Sequence, residues 1–386
     1  MLIGLVGAPN KGKSTLFSAM TLAEADIADY AFTTINPNMG VAYAKKECVE
    51  KELGVKCNPR NSLCINGIRQ LPVNIMDVAG LVPGAHLGKG MGNQFLNDLA
   101  NADVLIQVVD ITGKTDMNGK QAEYQDPAEE VKMVSDEIAR WLAGIISKHS
   151  NTISKRGDAD KALAELLSGF RASQEQIRKA AERSFLPLSG VAWNDHDILK
   201  FSKELLKLIK PTIIAANKCD KASNKDLDGL RNRLPGYTVI GCSAMLELAL
   251  RKAEKGGAVG ISEKGLAIKE GLQKDKKDAL EYISRYIKER GSTGVNEILD
   301  AAVFSFLSNI VVYPVEDENK YTDHFGNVLP DAILVKNGST ALQLAEKVHT
   351  ELAKGMKYAV DAKTKMRLAR DHVLKDNDVI KIVGPH

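Results

Sequence analysis

Gly7-Ala8-Pro9-Asn10-Lys11-Gly12-Lys13-Ser14 constrains this chain more than any other stretch. It fits G-x-x-x-x-G-K-[ST] at every fixed position. An apolar run, Leu2–Val6, precedes it, and the helically spaced Leu16, Phe17 and Met20 follow. A strand that turns through two glycines into a helix points backbone amides inward at an anion. In such a loop Lys13 reaches the β- and γ-phosphates of a nucleotide, and the Ser14 hydroxyl, followed by Thr15, holds Mg²⁺. The fold this predicts is α/β, a doubly wound, mostly parallel sheet with ligands at the carboxyl ends of its strands.

Three further segments choose the base. Asp77-Val78-Ala79-Gly80 closes an apolar run, which places an acid near Mg²⁺ and a glycine amide near the γ-phosphate. Asn217-Lys218-Cys219-Asp220 closes another, and the Asp220 carboxylate can accept hydrogen bonds from N1–H and the 2-amino group of guanine. Adenine offers neither donor. Ser243-Ala244 follows a third run and can present a backbone amide to the guanine O6. Each pattern is short, but all four stand in one order, each after a predicted strand.

The rest of the chain fits a large globular protein. Of its 386 residues, 44% are hydrophobic and 26% charged, which excludes disorder, collagen and a coiled-coil rod. No apolar run reaches the roughly 18–20 residues that cross a bilayer, so no membrane partner is expected. The apolar start reads as a strand, not a signal peptide, and a cytoplasmic location is expected. A net charge of +3 does not by itself demand nucleic acid.

Strands are predicted at Leu2–Val6, Val73–Asp77, Val104–Asp110, Thr212–Asn217 and Thr238–Cys242. About 100 residues between the third and fourth read as helical. Asp126-Pro127 with Glu129 resembles a capping box, and Val131, Val134, Ile138, Trp141 and Ile145 form an amphipathic stripe. The expectation is a helical or coiled-coil insertion looped out of the sheet domain. From Asn309 the order strand–turn–strand–helix–strand predicts a small α+β unit. The predicted division is therefore residues 1–115 with 208–305, an insertion at 116–207, and a terminal domain at 308–386.

At these residues the chain resembles the Obg-like/YchF family of P-loop GTPases, translation-factor-related proteins, and most of all its archaeal members with a C-terminal TGS domain. The resemblance runs the length of the chain. It rests on Phe32-Thr33-Thr34-Ile35-Asn36-Pro37-Asn38, on Gly80-Leu81-Val82-Pro83-Gly84-Ala85 and on Gly88-Lys89-Gly90-Met91-Gly92-Asn93. It implies a β-grasp terminal domain, GTP hydrolysis to GDP and phosphate as a switch, and a ribosome or structured RNA as partner. A nucleotide-gated ribosome- or RNA-binding module with incidental hydrolysis is the alternative reading. The oligomeric state is open, with a monomer favoured.

By the same resemblance, Phe32–Asn38 is switch I, with Thr34 the Mg²⁺ ligand and Thr33 its alternative. Asp77–Asn93 is switch II. Leu81 stands where many GTPases place a water-orienting glutamine, so slow intrinsic hydrolysis is expected. Asn10 is implied as a ligand for K⁺, or is simply a turn residue. His86 is either a water-polarising group or a solvated histidine. YchF proteins that prefer ATP depart from NKxD; this chain keeps Asn217 and Asp220, which predicts GTP.

Two other features complete the reading. The gaps separating Cys48, Cys57 and Cys64 exceed the C-x₂₋₄-C spacing common in zinc sites, so these are read as buried thiols. Cys219 and Cys242 adjoin the predicted base site. Near the C-terminus, Lys354, Lys357, Lys363, Lys365, Arg367 and Arg370 face a single acid, Asp361, with Tyr358 nearby. That local charge of +5 is the footprint of a phosphate-backbone contact, hence an RNA-binding candidate.

Overall fold

A computed structural model describes residues 1–21, 38–78, 84, 98–153, 155–188, 193–262 and 265–384. Strand β1 (Leu2–Val6) is apolar and almost wholly buried, as befits the middle of a parallel sheet covered on both faces. It pairs in parallel with β4 (Ile68–Asp77) on one side and β5 (Val104–Asp110) on the other. Beyond β5 the sheet continues through β6 (Thr212–Asn217) and β7 (Thr238–Gly241), both parallel. Strand β2 (Met39–Glu47) forms the far edge beyond β4, and β3 (Leu63–Ile65) pairs antiparallel with β4.

The register aligns the motif-bearing ends. Leu5 pairs with Asp77, and Asp110 with Asn217. Helix α1 (Lys13–Thr21) starts directly after the glycine-rich loop, with the Leu16 amide bonded to the Gly12 carbonyl at 2.9 Å.

The helix Pro127–Ser147 begins where the sequence predicts, with Asp126 accepting from the Ala128 amide at 2.8 Å. It is a simple cap, not the expected box, because Glu129 pairs with Lys132 instead. The helical insertion expected between the third and fourth strands is present, and it packs on the sheet. Val134, Ile138, Leu142 and Ile146 share one core with Val6, Met76, Val78 and Leu105 of the sheet, and with Phe201 and Leu205 of the helix Asp195–Ile209. The apolar stripe is therefore spent on covering the sheet, not on a free coiled-coil seam.

Strands β8 (Val259–Ser262) and β9 (Gly265–Ile268) make a separate antiparallel pair. The terminal sheet has order β11–β10–β14–β12–β13, formed by Ile333–Lys336, Asn309–Val315, Val379–Val383, Tyr358–Asp361 and Arg367–Leu368 respectively. The helix Ala341–Val348, capped by a Thr340/Gln343 box, lays Leu344 and Ala345 against Val312 and Ile380.

Contacts cluster the described chain into two compact units. One contains residues 1–21, 38–40 and 74–298, and the other 41–73 and 299–384. This differs from the three-part division drawn from sequence: 116–207 shares the sheet's core, and 41–73 clusters with the terminal domain. No helix among the described residues is long and apolar enough to cross a membrane.

Phe201 is fully buried and lies with its ring centroid 4.8 Å from that of Trp193. Phe201→Ala should lower unfolding free energy by about 3–5 kcal/mol, measured by urea unfolding. A loss below about 1 kcal/mol would show that the helices do not share the sheet's core.

Candidate nucleotide site

The loop after β1 closes on itself by backbone geometry that only certain residues tolerate. Gly7 has φ +151°, and a Cβ there would lie 2.5 Å from the Val108 carbonyl oxygen. Gly12 has φ +90°, and a Cβ would meet Asn217 Nδ2 at 2.2 Å. Asn10 takes φ +61°, the left-handed region that asparagine tolerates better than most. Its Nδ2 donates to the Gly119 carbonyl at 2.8 Å. Ala8 is buried and Pro9 half-buried behind the turn.

At the start of α1, Lys13 Nζ donates to Asp77 Oδ1, and Ser14 Oγ donates to Asp77 Oδ2 at 3.0 Å. Thr15 follows, half-buried. The predicted phosphate lysine, Mg²⁺ hydroxyl and Mg²⁺ carboxylate thus converge. Ser14 and Asp77 are hard oxygen donors on neighbouring elements, a set that fits Mg²⁺.

The Lys11 side chain turns away from the loop. It is buried, with Nζ 2.7 Å from Glu130 Oε2 and 2.7 Å from the Thr115 carbonyl. That leaves the loop only the Lys11 backbone. Burial pushes the Glu130 carboxyl above its ordinary range, and the Lys11 ammonium and Ala8 amide pull against this rise. Nothing in the sequence marked this pair, because Lys11 and Glu130 lie far apart in the chain.

Asn217 is a tie between loops. Its Nδ2 donates to the Lys11 carbonyl at 2.9 Å, and its Oδ1 accepts from the Ala244 amide at 3.0 Å. This corrects the expectation for Ser243-Ala244. The Ala244 amide, expected at the guanine O6, is given to Asn217, and the Ser243 amide to the Thr293 carbonyl at 2.9 Å.

Lys218, at φ +67°, stretches back to Asp110 Oδ2 at 2.8 Å and to the Asn10 carbonyl at 3.3 Å. Burial would raise the Asp110 carboxyl, but bonds from Lys218 and Thr112 outweigh it and hold it below the usual range. Asp220 Oδ1 accepts from Ser243 Oγ at 2.6 Å, so this carboxylate is oriented by the next motif. Cys219 and Cys242 are buried free thiols.

Thr34 with Thr33, Gly80, Leu81 and His86 lie outside the described residues. The segment after β5 was missed: Gly119, at φ +80°, is packed so that a Cβ would sit 2.8 Å from Pro9 Cβ. The glycine and the adjacent Asp116 turn are its faint signal.

The terminal cations do not form one free face. Lys354 pairs with Glu351 and Lys363 with Glu52, each at 2.8 Å. Lys365 is bonded to the Glu318 carbonyl and lies over the Tyr321 ring. Arg367 stacks on Tyr358 at 3.8 Å across the β12–β13 hairpin. Lys357, Arg367 and Arg370 are exposed.

A parallel sheet with a phosphate-binding loop, an aspartate at the Mg²⁺ position and an NKxD turn at adjoining strand ends defines a P-loop GTP-binding protein. Three family models match in chain order: a 50S ribosome-binding GTPase over residues 2–152, the G4 motif-containing domain of a YGR210-like Obg-like GTPase over 215–317, and a TGS domain over 325–384. An uncharacterized GTP-binding protein of Methanocaldococcus jannaschii is 49% identical, covering 99% of both chains. A GTP-binding protein of Pyrococcus horikoshii is 40% identical with a TM-score of 0.77 over all of both chains. At 27% identity, over 97% of each, the chain is also similar to a ribosome-binding ATPase YchF of Mycoplasma genitalium. The chain belongs to the Obg-like/YchF family of P-loop GTPases.

The Lys11–Glu130 pair yields a stability test. Lys11→Met strands a buried carboxylate and should lower unfolding free energy of the nucleotide-free protein by about 3–5 kcal/mol. Adding Glu130→Met should recover most of that loss in urea unfolding. Equal losses for the single and double variants would mean the pair is not the tie described.

Proposed function

We propose that the protein hydrolyses GTP to GDP and phosphate as a conformational switch that acts on the ribosome. The observation that carries the guanine reading is Asp220, held by Ser243 Oγ beside the Asn217 tie, where it can accept both guanine donors. The relatives named ATPases are the more distant ones, and the NKxD turn favours GTP here.

In this reading the loop amides and Lys13 hold the phosphates. Lys13 turns from Asp77 toward the β- and γ-oxygens and balances charge that develops on the transferred phosphoryl group. Ser14, Asp77 and Thr34 would hold Mg²⁺, which neutralises phosphate charge when bound. Gly80 would sense the γ-phosphate through its amide, so that loss of phosphate releases both switch segments. Lys218 and Asn217 keep the base loop and phosphate loop in register. Asn10 Oδ1 is the proposed ligand for K⁺, and His86 the rival group for the attacking water.

The ribosome reading rests on the family model over 2–152 and the name of the Mycoplasma relative. Within the TGS domain, Lys357, Arg367 and Arg370 are the exposed cations proposed to meet RNA phosphates. Reversing these three charges should flatten the salt dependence of ribosome co-sedimentation and leave GTP affinity intact. An unchanged salt series would remove RNA contact from this face.

Asp220→Asn should weaken GTP binding about 10- to 100-fold, the worth of one charge-assisted bond. Unlabelled ATP competing as well as GTP against a labelled guanine nucleotide would refute guanine specificity. Hydrolysis should run faster in K⁺ than in Na⁺ at equal ionic strength, and Asn10→Gly should erase the difference without straining the turn. Equal wild-type rates in both salts would discard the cation.

A further inference from the structure

Cys48, Glu50, Cys57 and Cys64 offer three sulfurs and a carboxylate oxygen that all lie within 4.8 Å of one another. Cys48 is buried as a free thiol, whereas Cys57 and Cys64 are free and half-buried. Cys48 ends the stretch after β2, Glu50 opens helix α2 (Glu50–Leu53), Cys57 lies in the following segment and Cys64 in β3. The spacing rule misled because a helical turn folds this segment back on itself. Gly54, at φ +66°, caps that turn, and the Cys48 amide bonds the Gly67 carbonyl at 2.8 Å.

The distances suit one ion. Cys48 and Cys57 sulfurs stand 4.0 Å apart, and Cys64 Sγ is 3.9 Å from Glu50 Oε1. A tetrahedron with Zn–S bonds of about 2.3 Å has sulfur–sulfur edges of about 3.8 Å. All the cysteines are free thiols, and three cannot pair off as disulfides. Glu50 is already oriented, since its Oε2 accepts from the Cys57 amide at 2.9 Å.

Arg69 is the independent observation. It is fully buried and sits opposite Cys64 in the β3–β4 register. Its guanidinium reaches Cys48 Sγ at 3.7 Å, Ser62 Oγ at 3.1 Å and the Leu329 carbonyl at 3.0 Å, and lies over the Tyr313 ring. Its Nε has no hydrogen-bond partner. The Glu50 carboxylate, held below its usual range chiefly by bonds from Cys57 and also by this guanidinium, is the cluster's carboxylate set against that buried cation. Three thiolates and a carboxylate on a divalent cation sum to −2, which adds to the single charge that Glu50 alone sets against the guanidinium. Arg69 would then act as the outer partner of the coordinating sulfurs.

We propose that Cys48, Cys57, Cys64 and Glu50 bind one Zn²⁺ ion in a closed, four-coordinate structural site that fixes the Cys48–Cys64 segment against the β3–β4 hairpin. Thiolate donors favour zinc over Mg²⁺ or Ca²⁺. Binding releases the thiol protons to solvent, so affinity should fall as pH is lowered.

The test uses the full-length protein. Chain purified from zinc-supplemented culture should carry one zinc per molecule by elemental analysis. Metal-free protein titrated with Co²⁺ should develop the thiolate charge-transfer and intense visible bands of tetrahedral cobalt, displaced by Zn²⁺. Cys57→Ser and Cys64→Ser should each lose the stoichiometric metal. Should those variants fail to fold, alkylation of the wild type decides: Zn²⁺ should protect Cys57 and Cys64 from iodoacetamide. No cobalt bands, or identical labelling with and without Zn²⁺, would overturn the site.

Discussion

The side-chain amide of Asn217 is the constraint on which the nucleotide site depends. One end holds the carbonyl of Lys11 in the phosphate loop and the other holds the amide of Ala244. Both bonds are buried, so neither can be exchanged for water at little cost. Three strand ends, those of β1, β6 and β7, are thereby locked in one geometry. Gly12 is glycine for the same reason, since any Cβ there would displace the amide.

Around this amide the protein places charges that cancel in pairs. Lys11 with Glu130, and Lys218 with Asp110, each bring a residue of a nucleotide motif onto a neighbouring element. Such pairs contribute little net stability when measured against an apolar alternative, but losing one partner is costly. They therefore specify position more than they strengthen the fold. The left-handed turn at Lys218 is held because its ammonium has two acceptors, not one.

The nucleotide motifs were legible because each is a few residues long and carries its own backbone chemistry. Strand ends, Gly7, Gly12, Lys13 and Ser14 follow from local sequence alone. The destination of the Lys11 side chain was not legible because it depends on Glu130, more than a hundred residues away. The Ala244 amide was misassigned because Asn217 competes for it, and no local pattern reveals that competition. The helical segment was found, but its destination was not: an amphipathic stripe tells which face is buried and not what covers it. Strands β2 and β3 went unread, and so did the convergence that β3 helps to build.

The terminal domain shows the same limit for charge. Six cations in seventeen residues look like one surface when counted along the chain. In the fold, the β12–β13 hairpin and the loop between its strands distribute them. Lys354 and Lys363 meet carboxylates, and Lys365 a backbone oxygen. An exposed ion pair is weak, so a polyanion could displace Glu351 or Glu52 at small cost. Arg367 differs, because stacking on Tyr358 fixes its plane without consuming its hydrogen-bond donors. A stacked guanidinium that keeps its donors has a fixed plane in which to offer them. The count of cations therefore overstates the patch, and the one aromatic contact identifies the residue in it best prepared to bind.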